Sequence, residues 1–125
     1  MLPLPLSLGL LLIAWLLGSA LAARHLRGGA TPPPSGLFGA LHGLVGIVGV
    51  AALSVALQGP PRGVAMGVGA FGRIAAALLV LALLAGLIMF VMRLRARRIP
   101  ALVIGIHATI AVSGIVICAA YTLVG

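Results

Sequence analysis

Four long apolar stretches follow one another along the chain, and the short segments between them contain all of its arginines. The stretches cover about 2–22, 37–57, 74–92 and 101–124. A helix of roughly 20 apolar residues crosses a hydrocarbon layer about 30 Å thick, so each stretch is long enough to span a membrane. We therefore predict an all-α protein in which two tandem helical hairpins form a four-transmembrane-helix bundle, a single integral membrane domain over residues 1–125.

The connecting segments contain residues that break helices. Loop one, 23–35, holds the run Pro32-Pro33-Pro34, and loop three, 93–100, ends in Pro100. Loop two, 58–73, begins with Gly59-Pro60-Pro61 and continues into a glycine-rich part within which the third helix could begin. The first stretch ends in small residues that resemble a signal-peptidase site, but no basic segment precedes it. We expect this stretch to be retained as a span.

Composition excludes several classes of protein. The 125 residues are 63% apolar and 6% charged, with eight arginines and no lysine, aspartate or glutamate. Without a carboxylate, a proton-coupled transporter of the multidrug type is a weak candidate. The sequence offers no activated nucleophile, phosphate loop or carboxylate pair, so we expect no independent catalysis. The single Cys118 excludes an internal disulfide.

The distribution of the arginines predicts the orientation of the chain. Loops one and three together contain six arginines and loop two contains two. Cytoplasmic loops generally contain the excess of basic residues. This rule places loops one and three in the cytoplasm and both termini on the outer side of the inner membrane. Basic loops beside spans are a topology signal, so we expect no nucleic-acid partner. Spans two and four then run parallel to each other.

Two histidines lie in matched positions within these parallel spans. His42 and His107 are 65 residues apart, and each is followed by a small residue four places on and a glycine seven places on. Positions so spaced share one helix face. Each histidine is therefore followed by a stripe of small residues on the same helix face. The stripe residues are Gly46 and Gly49 after His42, and Ala111 and Gly114 after His107. Both lie roughly 8–10 Å into their spans, and we expect duplicated hairpins to bring the two imidazoles to one level.

Two interpretations of the histidines follow from the residues. Each imidazole could simply hydrogen-bond a backbone carbonyl or hydroxyl across a helix interface, with the glycines serving close packing. The pairing instead favours axial ligation of one b-type haem by His42 and His107, with the small residues making room for the flat ring. Six arginines at the same membrane face could bind the haem propionates, although the topology of the chain also explains their positions. They are Arg24, Arg27, Arg93, Arg95, Arg97 and Arg98. We expect His25 to be interfacial rather than a ligand.

The motifs His42-x6-Gly49 and His107-x6-Gly114 within a four-span bundle resemble those of small membrane cytochromes b, namely cytochrome b561-like proteins and the haem-anchor subunits of respiratory dehydrogenases. The resemblance implies metal binding by the two histidines, electron transport through haem b, and a quinol or another redox subunit as partner. Di-haem members place a second histidine pair near the other membrane face. This chain has no such pair, so the resemblance implies a single haem.

A structural or assembly subunit of a larger membrane complex is the main alternative. Small-residue faces such as Gly39-x3-Gly43 suit close helix packing, whether or not a cofactor lies between the helices. An oligomer or a larger complex is compatible with either interpretation.

Overall fold

The computed structural model describes residues 3–28 and 36–124, and these residues form four long α-helices. Each of the four is long and apolar enough to cross a membrane, as an integral multi-pass membrane protein requires. The all-α, four-helix prediction is confirmed. The helices are α1 (Pro3–Leu26), α2 (Gly36–Ala56), α3 (Phe71–Leu94) and α4 (Ala101–Leu123).

The helix ends differ from the predicted spans by at most four residues: α1 and α3 continue beyond their spans, whereas α2 and α4 each end one residue earlier. The first turn of α1 accepts Pro3 and Pro5, because the first backbone N–H groups of a helix have no intrahelical partner. Extended backbone at Pro100, with φ −64° and ψ 141°, precedes the start of α4. Arg24 and Arg93 belong to the last turns of α1 and α3, where the sequence placed them in loops. The predicted break at Pro32-Pro33-Pro34 lies outside the described residues.

The four helices form a square bundle in chain order. Among the described residues, α1 packs mainly on α2 and α3 on α4, while α1 with α4 and α2 with α3 complete the ring. Contacts run antiparallel: Ser7 of α1 donates a hydrogen bond of 2.8 Å to the carbonyl of Gly49, while His42 lies opposite Ala14. The diagonal helices α2 and α4 are therefore parallel, as the topology predicts, and no intervening helix separates them.

Close packing is confined to one half of the bundle. Every residue that is buried in the described chain lies in 4–14 of α1, 46–53 of α2, 72–82 of α3 or 114–121 of α4, and we call this part the closed half. Its core includes Leu53 and Cys118, both fully buried. Because lipid is as apolar as leucine, such packing depends on shape fit and small residues more than on the hydrophobic effect.

The other half of the bundle is loosely packed. It comprises residues 15–26, 36–45, 83–94 and 101–113, and none of them is buried; we call it the open half. The open half adjoins loops one and three, and its helices together with these two loops contain six of the eight arginines. The pattern of apolar residues does not predict this difference in packing between the two ends.

Loop two closes the end of the closed half. A turn of 3-10 helix at Val64–Met66 follows Gly63, which has a φ of 64° that side chains rarely adopt. The backbone N–H of Arg62 donates to the hydroxyl of Tyr121, 3.2 Å away, which fixes the loop to α4. The third helix begins at Phe71, inside the glycine-rich part as the sequence allowed.

Loop three begins with a strained residue that offers a simple stability test. Ala96 has a φ of 53°. Its N–H donates a hydrogen bond to the carbonyl of Arg93, and the N–H of Arg97 donates one to the carbonyl of Met92. This is a Schellman helix end, where glycine is preferred because a Cβ costs about 1 kcal/mol in the left-handed conformation. We expect Ala96→Gly to stabilise the protein by about 0.5–1 kcal/mol. Thermal unfolding in detergent measures this, and a lower melting temperature would contradict it.

Candidate functional site

His42 lies at the boundary between the two halves, on the inner side of α2. Its Nδ1 atom is 2.8 Å from the carbonyl oxygen of Ala14 in α1. A carbonyl oxygen can only accept a hydrogen bond, so Nδ1 carries the proton and donates it. The other ring nitrogen, Nε2, is left with a free lone pair in the neutral imidazole.

His107 repeats this arrangement in the second hairpin. Its Nδ1 is 2.9 Å from the carbonyl oxygen of Ala82 in α3, which fixes the same tautomer. The two acceptor residues are 68 positions apart in the chain and the two histidines 65 apart. The two hairpins therefore share the hydrogen bond that orients each histidine ring.

The structure brings the two imidazoles together across the diagonal of the bundle. The ring centroids of His42 and His107 are 6.2 Å apart, and the ring planes differ by 80°. Within residues 3–28 and 36–124, neither Nε2 atom has a hydrogen-bond partner. Every fully buried side-chain nitrogen or oxygen in these ranges does have a partner. Both Nε2 atoms are therefore at least partly accessible.

Two glycines in α1 and α3 make room for the imidazole rings. A Cβ atom at Gly18 would lie 2.7 Å from Cε1 of His42, and one at Gly86 would lie 3.3 Å from Cε1 of His107. Real Cβ atoms essentially never approach to the first distance, and the second requires a small shift. The absence of a side chain at Gly18 is thus a condition for the observed position of His42.

The stripe residues below the histidines serve helix packing in this structure. A Cβ at Gly49 would lie 3.1 Å from Leu11, and one at Gly114 would lie 2.8 Å from Leu79. Gly46 faces Leu83 at 3.6 Å, a normal contact distance. Leucines of the neighbouring helices thus occupy the space in front of both Gly49 and Gly114, as the close-packing interpretation of these glycines expects. Ala111, the remaining stripe residue, is half-buried.

Unfilled space lies on the loop-one side of His42. A Cβ atom at Gly39 or Gly43 would have no atom of another helix within 4 Å. Spacings of three and seven residues from the buried Gly46 place both glycines on the inner face of α2. The backbone of α2 is therefore open at Gly39 and Gly43, whereas Phe38, four residues before His42, contacts Arg24 of α1.

The predicted propionate-binding arginines are divided between two sides of the bundle. Arg93 lies seven residues after Gly86 on α3 and so shares its inward face. Arg95 lies nine residues, or two and a half turns, after Gly86 and points away from the histidines. Arg24 stacks on the ring of Phe38 in α2 with 5.2 Å between Cζ and the ring centroid. Arg27, Arg97 and Arg98 are exposed.

His25 lies at the end of α1, away from the paired rings. Its Nε2 is 3.1 Å from the carbonyl oxygen of Ile99, so the exposed side chain connects α1 to loop three. This position agrees with an interfacial residue and not with a third ligand. Among the described residues, no group of three or more histidine, cysteine or acidic side chains could hold a metal ion.

The contributions of α1 and α3 to the site were not predicted from the histidine motifs, although the sequence contains a signal for them. Residues 10–18 read LLLIAWLLG and residues 78–86 read LLVLALLAG, so the acceptor alanine and the cradling glycine recur at matched positions. This repeat was the available signal, and aligning the first helices of the two hairpins would have identified Ala14, Gly18, Ala82 and Gly86. Comparisons of the chain with protein-family models, with curated proteins and with solved structures gave no match.

Proposed function

We propose that this protein is a membrane-embedded electron carrier that holds one haem b between His42 and His107. The observation that carries the proposal is the pair of imidazoles, 6.2 Å apart, each with Nδ1 bound to a backbone carbonyl and Nε2 free. Haem iron supplies a one-electron redox change when it is ligated by two such rings.

The hydrogen bonds of the two rings match those of metal ligands. A ligating histidine generally donates its second ring N–H to a carbonyl or carboxylate, which fixes the tautomer and orients the ring. Ala14 and Ala82 provide these acceptors at 2.8 Å and 2.9 Å. A histidine that served only to join two helices would need the Nδ1 bond, but it would gain nothing from a second histidine held level with it.

The spacing of the rings also fits two axial ligands. A metal–nitrogen bond of about 2 Å on each side, plus about 1 Å from each nitrogen to its ring centre, separates the two centroids by about 6 Å. The structure gives 6.2 Å. Edge-to-face contact between two rings covers about 4.5–7 Å as well, so the spacing supports ligation only together with the Nε2 atoms that lack a partner, and a much wider spacing would leave one position unligated.

Features of the open half support the proposal. On α2, a Cβ at Gly39 or Gly43 would meet no atom of another helix within 4 Å, so the backbone beside His42 is open at these two positions. Arg93 shares the inward face of Gly86 near the mouth of this space, where a guanidinium can bind a carboxylate through two parallel hydrogen bonds. Arg24 and Arg27 lie at the same end of the bundle.

The position of the site near one face suggests where electrons enter and leave. With the arginine-rich end in the cytoplasm, the haem would lie near the cytoplasmic face of the inner membrane and exchange electrons there. A single haem does not connect the two membrane faces, so we expect a quinol or a second redox subunit as electron partner.

The composition of the purified protein tests this proposal. We expect the full chain, expressed with adequate haem supply and purified in detergent, to contain close to one haem b per chain. A colourless protein under these conditions would contradict the proposal.

One observation favours a second candidate function, that of an assembly subunit. Gly105, Thr109 and Ser113 follow one another at four-residue spacing on the exposed outer face of α4. Gly105 and Thr109 line an open groove of about 380 Å³ there. Small residues of this kind allow close approach of another transmembrane helix. Co-purification of a larger complex that is lost in Gly105→Leu would support this function.

A further inference from the structure

A groove on the outside of the bundle combines an apolar wall with two arginines. It has a volume of about 370 Å³ and lies along the last turns of α3, with the lining residues Leu87, Ile88, Val91, Met92, Arg95 and Arg97. Leu87 and Ile88 are 58% and 60% exposed, so the wall faces the lipid. The arginines lie at its loop-three end, where α3 leaves the hydrocarbon.

The strained turn of loop three brings the two arginines to one groove. Ala96, with its φ of 53°, reverses the chain between Arg95 and Arg97, and the N–H of Arg97 bonds back to the carbonyl of Met92. A continued helix would separate residues two apart by about 200° around its axis. The reversal instead lets both side chains border the same space.

The guanidinium groups of Arg95 and Arg97 have no partner in the part of the chain that the structure describes. Over residues 3–28 and 36–124, no hydrogen bond or ion pair involves the side chain of Arg95 or Arg97. The chain has no aspartate or glutamate that could pair with them, in itself or in a second copy. A carboxylate side chain of this protein cannot pair with them, so an anion that binds both arginines comes from outside the protein.

We infer that this groove binds an anionic phospholipid, with the phosphate held by Arg95 and Arg97 and an acyl chain along Leu87, Ile88 and Val91. Guanidinium groups bind phosphate through paired hydrogen bonds, and basic residues at the lipid surface attract anionic headgroups. A free phosphate ion would use the arginines alone and leave the apolar wall uncovered. The site faces away from the histidines and does not depend on haem.

Native mass spectrometry of the full chain tests the inference. The detergent-purified protein is equilibrated with equal amounts of phosphatidylglycerol and phosphatidylcholine, and the bound fraction of each is measured. We expect the wild type to retain mainly phosphatidylglycerol. At subsaturating lipid, the double variant Arg95→Gln/Arg97→Gln should lower this bound fraction about 30-fold, as the loss of two interfacial cations at about 1 kcal/mol each implies.

Two further variants separate the groove from general charge effects. Arg62→Gln/Arg73→Gln removes the same charge from the opposite end of the bundle and should leave phosphatidylglycerol binding unchanged. Ile88→Trp fills the groove with both arginines intact and should reduce binding at least five-fold. Equal binding of both lipids by the wild type, equal losses in the two arginine variants, or unaltered binding in Ile88→Trp would overturn the inference. Displacement of the lipid by millimolar inorganic phosphate would overturn it as well.

Discussion

Replacement of His42 or His107 by alanine is expected to abolish haem binding, each variant alone being sufficient. The two rings approach each other from parallel helices on opposite corners of the bundle, and each offers one free Nε2. With haem bound as proposed, removing either ring would leave a single ligand and an apolar gap on the other side of the iron. We expect the haem-to-protein ratio to fall at least ten-fold, measured as absorbance per chain after purification.

Two controls distinguish loss of a ligand from loss of the fold. His25→Ala removes the remaining histidine, which bonds only to the carbonyl of Ile99, and should keep the wild-type haem content. Free imidazole added during reconstitution with haem should restore part of the binding to His107→Ala, because it can occupy the gap left by the side chain. Equal haem content in wild type and both site variants would show that the histidines are not ligands.

Gly18→Ala is expected to disturb haem binding without touching a ligand. The new Cβ would lie 2.7 Å from Cε1 of His42, so the ring must move and its 2.8 Å bond to Ala14 must lengthen. Changes to the groups that orient a ligating histidine commonly cost 10–100-fold in metal affinity. We expect a loss of about ten-fold in haem affinity, measured by titration of the apoprotein.

Matched glycines make this a graded test. Gly86→Ala places its Cβ at 3.3 Å from His107 and should have a smaller effect, while Gly9→Ala on α1 meets nothing within 4 Å and should have none. All three changes raise helix propensity by up to about 1 kcal/mol per residue, so a general effect on helix stability would strengthen all three proteins alike. An equal response of the three variants would contradict the assigned role of Gly18.

The length and apolar composition of the spans were enough to predict the four helices. A membrane leaves few alternatives to a helix of about 20 residues, so the third span was recognised although its exact start at Phe71 was not. The level of His42 and His107 followed from equal distances to the helix starts. The conversion of Arg24 and Arg93 from loop residues to helix residues shows that a helix can continue past its hydrocarbon segment.

The partners of the histidines could not be read from the histidine motifs alone. Ala14 and Ala82 accept these hydrogen bonds through their backbone oxygens. Every residue type has a backbone oxygen, so the residue type does not identify the acceptor. The glycine stripes had two physical explanations, since a missing side chain makes room equally for a cofactor or for a leucine. The packing of Leu11 on Gly49 and of Leu79 on Gly114 depends on helix rotation, which the uniformly apolar surfaces of these helices do not encode.

The ligation state of the iron provides the most direct test of the central claim. We would record optical spectra of the detergent-purified full chain, first air-oxidised and then reduced with dithionite. Two imidazole ligands predict sharp six-coordinate low-spin spectra in both states, with no change on addition of carbon monoxide to the reduced protein. A five-coordinate or high-spin spectrum, or no haem absorbance at all, would contradict a haem held between His42 and His107.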